Sequence, residues 1–350
     1  MKYPEILTFE DALRQLDSFD AIIDARSPSE YALDHLPGAI NAPVLDDEQR
    51  IRVGTMYKQI GSFEAKKLGA ALVARNIANY IEQLWLEQPR EWRPLVYCWR
   101  GGNRSGSMAH ILAKIGWPVA QLDGGYKAFR AHVNAALEQA PALNFKVICG
   151  TTGSGKSRLL EVLHAQGAQV LDLEQLAAHR GSVLGDLPSQ PQPSQKAFES
   201  NIWNVLRRFD PARPVFVESE SKKVGNLRVP AALMETMRAS DCISLTLSRV
   251  NRVRLLMEDY EHFLVSPASL NEQLEHLMPL HGREKITRWQ AMSNAGDMAP
   301  LVEELLADHY DPAYLRSIDR NFLKFNQAAP LELEDIDQAA FSSAARHLMS

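Results

Sequence analysis

Short apolar runs alternate with amphipathic stretches over residues 6–137: AIIDAR, AINAPV, PLVYCW and VAQLDGG each read as a strand, with helical spacing of apolar positions between them. Alternation of this kind builds an α/β layer with a mainly parallel sheet, because parallel strands need a crossover long enough to hold a helix. A proline-bearing stretch, EQAPALN at 138–144, interrupts the pattern ahead of a new apolar run, FKVICG. A second series follows, with strands expected at 145–149, 168–172, 214–218 and 241–247 and room for helices between them. GDLPSQPQPSQ at 185–195 is dense in proline, serine and glutamine and reads as an exposed loop. Beyond residue 265 the pattern turns helical to the end, as in SLNEQLEHLM and LVEELLADHY. The expected organisation is a first domain over 1–138, a second over 139–275, and a helical region over 276–350 packed on the second.

Composition narrows the class. With 45% apolar and 23% charged residues and no low-complexity tract, the chain belongs with folded globular proteins. No apolar run reaches the roughly 18 residues that cross a bilayer. The opening MKYPEILTFEDAL carries acids where a signal peptide has its apolar core, and a cytoplasmic monomer without membrane partners is expected. Three scattered cysteines, Cys98, Cys149 and Cys242, form neither a disulfide framework nor a metal knuckle. The net charge of −5 carries no global footprint of nucleic-acid binding, so any RNA contact must rest on local clusters. Candidates are Arg207, Arg208, Arg213, Lys222, Lys223 and Arg228, a second group of Arg249, Arg252 and Arg254, and a third of Arg283, Lys285 and Arg288.

Two segments carry recognisable chemistry, and the first is Cys98-Trp-Arg100-Gly101-Gly102-Asn103-Arg104-Ser105, between the strand PLVY and a helical stretch. A cysteine at that junction faces converging backbone N–H groups and a helix N-terminus, both of which stabilise a thiolate or a bound anion. Arg104 closes the ring or grips an anionic donor. The other thiols lack such surroundings and read as core residues, Cys149 ending one strand and Cys242 lying inside another.

DARSPSEYALDHLPGAINAP at 24–43, the loop CWRGGNRS and LDGGYKAF at 122–129 resemble, in order and spacing, the successive signatures of rhodanese domains. The resemblance spans nearly all of residues 10–135 and implies that Cys98 carries sulfur or selenium. One departure stands out: Cys98 and Arg104 give Cys-x5-Arg, where sulfur-transferring rhodaneses have Cys-x4-Arg. Related phosphatases and the selenouridine synthases share the longer loop, which suits either phosphate or selenium.

The second segment, Gly150-Thr151-Thr152-Gly153-Ser154-Gly155-Lys156-Ser157, satisfies the phosphate-loop pattern GxxxxGK[ST] between a strand and a helix. Its backbone N–H groups would surround a phosphate, Lys156 would neutralise it, and the Ser157 hydroxyl is a candidate magnesium ligand. Glu218 and Asp172, each closing a strand, are candidate acids for a metal or its water, with Glu220 two residues beyond the first. Arg249, Arg252 and Arg254 follow the strand CISLTL, where cations over the phosphates are expected.

The join of these two domains, with HRGSVLG at 179–185 and ESESKKVGNLRVP at 218–230, resembles the tRNA 2-selenouridine synthases along nearly the whole chain. In that family, 2-thiouridine at wobble position 34 of certain tRNAs is S-geranylated from geranyl diphosphate, and selenophosphate then supplies selenium. The resemblance implies no tightly bound cofactor. It gives the phosphate loop to the prenyl diphosphate and makes Cys98 the selenium carrier, as a selanylsulfide. Two other readings remain open on the residues: an ATP-dependent tRNA sulfurtransferase using a Cys98 persulfide, and a regulatory protein that binds anion and nucleotide without chemistry.

Overall fold

The computed structural model describes residues 3–181, 185, 190–260 and 267–350, and divides into two compact units. The loop expected at 185–195 and the motif at 179–185 fall partly outside the described residues. Among those described, no helix is long and apolar enough to cross a membrane.

The first unit comprises residues 1–136 and 194–204. Its sheet consists of β1 (Glu5–Leu7), β2 (Ala21–Asp24), β3 (Ala39–Asn41), β4 (Pro94–Tyr97) and β5 (Ala120–Leu122), all parallel in the order β1-β5-β4-β2-β3. β4 is buried along its whole length, as expected of a strand in a parallel sheet covered on both faces. The helix Asn103–Ile115 lays Met108, Ala109, Leu112 and Ala113 on a core shared with Ile23, Val96 and Trp117. A buried polar network braces the end of β2. Arg26 pairs with Asp24 at 2.6 Å, Tyr97 donates to Asp24 at 2.7 Å, and Tyr126 donates to Asp34 at 2.8 Å. Every charge in it has a partner, which is the condition on which buried ions are tolerated.

Residues 194–204 join this unit although they lie far beyond it in sequence, an arrangement absent from a contiguous reading of the two domains. Ser200 donates to Asp34 at 3.1 Å, Arg130 pairs with Glu199 at 2.6 Å, and Trp203 meets Phe129 edge-on at 5.6 Å.

The second unit comprises 137–193 and 205–350. Its main sheet contains β6 (Asn144–Cys149), β7 (Gln169–Leu171), β8 (Pro214–Glu218), β11 (Asp241–Leu247) and β12 (Ala329–Leu333), parallel in the order β12-β11-β6-β8-β7. β9 (Lys223–Val224) and β10 (Leu227–Arg228) form a small antiparallel hairpin. The four strands expected in this region are all present. β12 is the addition: it interrupts the helical C-terminal region, burying Leu331 and Leu333 against β11 while Pro330 and Glu332 face outward. Helices Pro267–Glu275, Met278–Ala295 and Met298–Leu305 build a separate apolar cluster around Trp289 and Leu301.

Candidate functional site

Cys98 follows β4 directly and is buried, with an exposure of 3%. Ser105, in the first turn of helix Asn103–Ile115, donates its hydroxyl to Cys98 Sγ at 3.1 Å. Gln121 on β5 supports the arrangement by donating to Gly101 O at 2.6 Å and to Ser105 Oγ at 3.3 Å. Gln121 therefore orients the serine that faces the sulfur. The loop can turn this tightly because Gly101 has φ +65°, and a Cβ there would lie 2.4 Å from Leu122 O. On the far side, the Tyr126 N–H holds Cys98 O at 2.8 Å.

Arg104 pairs with Glu30 at 2.7 Å, and Arg50 approaches the same carboxylate at 3.3 Å. Burial works against the Glu30 charge, but the Arg104 hydrogen bond and the two guanidinium charges hold its carboxyl below the ordinary range. Arg100, Gly102 and Asn103 are exposed at the rim of the loop. The other thiols are built into the second sheet. Cys149 is raised above its normal range by its contact with Cys242 and by burial, which leaves it a neutral core residue.

A side-chain hydrogen bond contributes about 0.5–1.5 kcal/mol net. Replacing Ser105 by alanine is accordingly expected to slow alkylation of Cys98 by iodoacetamide near neutral pH by about two- to ten-fold. Cysteine labelling followed by mass spectrometry of the Cys98 peptide measures it, and an unchanged rate would remove Ser105 from the sulfur's activation.

In the second unit, residues Gly150–Gly155 turn from the end of β6 into the helix Lys156–Ala165. Gly155 caps that helix at φ +90°, and a Cβ at this position would also stand 2.9 Å from the Phe341 ring. Lys156 folds its ammonium onto the loop, donating to Gly150 O at 2.9 Å and more weakly to Thr151 O at 3.4 Å. Ser154 Oγ is buried with no hydrogen-bond partner among the described residues, which leaves its hydroxyl available to an anion on the loop.

The acids form a knot beside the loop. Glu218 Oε1 accepts the N–H groups of Leu173 at 2.8 Å and Glu174 at 3.0 Å, so it positions the chain after β7, while its Oε2 is buried without a partner among the described residues. Burial, reinforced by the charges of Asp172, Glu174 and Glu220, pushes its carboxyl well above the ordinary range. Glu220 is pushed up to about 8 by burial, with Glu174 adding and Lys156 opposing. Asp172 caps the helix Leu173–Ala177 by accepting from Gln175 N at 2.7 Å and is raised to about 6, chiefly by burial. Glu174, which no motif marks in the sequence, completes the knot: Ser157 donates to its Oε2 at 2.9 Å.

No group of three or more His, Cys, Asp or Glu side chains among the described residues is disposed to hold a metal ion. A magnesium ion here would rest on the Ser157 hydroxyl and on the oxygens of its phosphate ligand, a donor set that suits this cation.

The arginines after β11 take other places. Arg252 is buried, donating to Thr152 O at 2.7 Å and to Asp311 at 2.6 and 3.1 Å, so it anchors the phosphate loop from behind. Arg249 is half exposed and lies 3.6 Å from the same Asp311, and Arg254 pairs with Asp335 at 3.1 Å. None of the three lines the cleft over the loop. The cations that do, among the described residues, are Lys156, Arg158 and Arg180. Arg158 pairs with Glu258 at 2.9 Å and Asp259 at 2.8 Å, and Arg180 stands 4.9 Å over the Tyr260 ring. Their signal in the sequence is slight: Arg158 directly follows the GKS of the loop, and Arg180 lies in HRG.

Lys222 and Lys223 are exposed beside the β9–β10 hairpin, where Lys223 pairs in register with an exposed Arg228. Arg208 is exposed and Arg207 partly buried near the end of the helix Gln195–Leu206.

Two family models match this chain. The rhodanese-like domain covers residues 8–132, and the tRNA 2-selenouridine synthase AAA domain covers residues 143–288. A protein from Cupriavidus pinatubonensis named tRNA 2-selenouridine synthase is 35% identical over 325 residues, 84% of this chain and 87% of its own. The chain belongs to the tRNA 2-selenouridine synthase family. Other members of this synthase family include proteins from Nitrosomonas europaea and Alcanivorax borkumensis. The first is 36% identical over 74% of this chain and 67% of its own, the second 33% identical over 84% and 88%. The rhodanese-like match contains Cys98, Ser105 and Gln121, and the synthase match spans the phosphate loop and the acid knot, so both sites lie inside the matched regions.

Proposed function

We propose that this protein makes 2-selenouridine in tRNA in two steps, one at each site. The reading rests on family membership together with one observation: a buried cysteine under a serine donor and a complete phosphate loop occur in separate units of one chain. The first step is S-geranylation of 2-thiouridine at wobble position 34. The thiocarbonyl sulfur attacks C1 of geranyl diphosphate, the C–O bond to diphosphate breaks, and the base gives up its N3 proton. Backbone N–H groups of the loop, Ser154 Oγ and Lys156 bind the diphosphate and stabilise the charge it gains on leaving. Lys156 must exchange Gly150 O for the phosphate to do so. Magnesium bound to the diphosphate would be held by Ser157 and would add to that stabilisation.

In the second step, selenium from selenophosphate passes at the Cys98 loop to C2 of the base. With selenophosphate held in the Cys98 loop, its selenium attacks C2: a C2–Se bond forms, the C2–S bond breaks and geranylthiolate leaves. Water then cleaves the Se–P bond to release phosphate, so selenium keeps its oxidation level throughout. Geranylation prepares this exchange by turning an unreactive thiocarbonyl sulfur into a leaving group. Ser105, held by Gln121, directs its hydroxyl onto the Cys98 sulfur and fixes its place beneath the loop. Incubating the protein with 2-thiouridine tRNA and geranyl diphosphate alone is expected to give the geranylated nucleoside and one equivalent of diphosphate. Product formed only with ATP would replace this reading by the sulfurtransferase one.

The tRNA is a polyanion, and the chain as a whole is acidic, so binding rests on local cations such as Lys222 and Lys223. Neutralising both is expected to weaken tRNA binding and to lower the salt dependence by up to about one unit of slope per lost phosphate contact. Filter binding across a salt series measures this, and an unchanged slope would place the RNA elsewhere.

A further inference from the structure

Beside the phosphate cleft of the second unit lies a second opening of different character. It runs between the helix Arg249–Asp259, contributing Leu256 and Met257, the helix Pro267–Glu275, contributing Leu270, and the helix Met298–Leu305, contributing Leu301, Val302 and Leu305. Apart from Thr152 and two tyrosines, Tyr260 and Tyr310, its described lining carries no hydrogen-bonding side chain. Its empty space, counting the open mouth, is about 560 Å³. The two openings adjoin, sharing Thr152, Leu256 and Tyr260 in their linings.

Such a pair of compartments selects its ligand by chemistry. A phosphate loop takes the charged end, and what extends past Thr152 meets leucine, methionine and valine. A nucleoside would bring a ribose and the hydrogen-bonding edge of a base into a groove that offers them few partners, at the cost of desolvating polar groups without replacement. A branched hydrocarbon tail loses nothing there and leaves water. The groove borders an apolar cluster in which Leu301, Leu305 and Trp289 are buried.

We infer that this groove holds the hydrocarbon chain of an allylic diphosphate whose diphosphate sits on Gly150–Ser157. The assignment deepens the proposed geranylation and rests on that reading. It gives the helical C-terminal region a part in recognising the substrate. Val302 and Met257, both partly buried, stand where added bulk would shorten the groove.

Binding of inorganic diphosphate, dimethylallyl diphosphate and geranyl diphosphate to the full-length protein tests this by calorimetry. Affinity is expected to rise with chain length, geranyl diphosphate binding about 100-fold or more tighter than inorganic diphosphate. Val302→Trp should weaken geranyl diphosphate by about ten-fold while holding inorganic diphosphate within about two-fold, and Met257→Trp should behave alike. Thermal melts establish that the variants are folded; if neither folds, the wild-type length series decides alone. Equal binding of the three ligands, or equal loss for geranyl and inorganic diphosphate in a folded variant, overturns the groove assignment and leaves the phosphate site standing. A wild-type protein that binds none of them overturns the geranylation reading, and the groove with it.

Discussion

The Cys98→Ser protein is expected to make no 2-selenouridine above background while still converting 2-thiouridine tRNA to its geranylated form, which should accumulate. Serine preserves the size of the side chain and its place at the end of β4, but it removes the sulfur from the loop that holds selenophosphate. Ser105 would still find an acceptor there, since it donates to whatever atom replaces Sγ. The fold should therefore survive, and the loss should fall on one step alone. Nucleoside mass spectrometry of the reacted tRNA separates the two products. Wild-type amounts of 2-selenouridine would remove Cys98 from selenium transfer. The other thiols are poor substitutes, because both are buried in the strands of the second sheet.

Lys156→Ala should show the complementary pattern. Removing the ammonium deprives the departing diphosphate of its main counter-charge, and the loss of one such donor typically costs about 10²–10³-fold in rate. Selenation of tRNA geranylated beforehand should continue, since Cys98 and its supporting residues lie in the other unit. Alanine also gives up the bonds from Lys156 to Gly150 O and Thr151 O, so the variant must first be shown to melt as the wild type does. Single-turnover rates for the two steps, measured separately, check the prediction. Equal loss of both in a folded protein would argue for one shared site.

Features of this protein are legible in its sequence to the extent that they are local. Cys98–Ser105 and Gly150–Ser157 are contiguous, with strand and helix flanks, so the residue order alone carries their chemistry. Partners distant in the chain leave no such mark. Glu30 holds Arg104 across 74 positions, and Asp311 meets Arg252 across 59. The second pairing explains why the arginines after β11 do not line the phosphate cleft: packing turns Arg252 inward, and spacing along a helix does not reveal which neighbour it will meet. Arg158 and Arg180 supply the additional cations at the cleft. β12 is hidden for a related reason, since five residues of alternating pattern sit among helices and only pairing with β11 makes them a strand. The placement of residues 194–204 in the first unit rests on Asp34, Arg130 and Phe129, all distant in the chain.

On the proposed chemistry geranylation precedes selenation, and the order of addition tests that sequence. Wild-type protein is given 2-thiouridine tRNA with selenophosphate alone, and geranyl diphosphate is added later while wobble nucleosides are followed by mass spectrometry. No 2-selenouridine is expected before the addition, then a transient geranylated nucleoside that decays as 2-selenouridine appears. Formation of 2-selenouridine at the full rate without geranyl diphosphate would contradict that order.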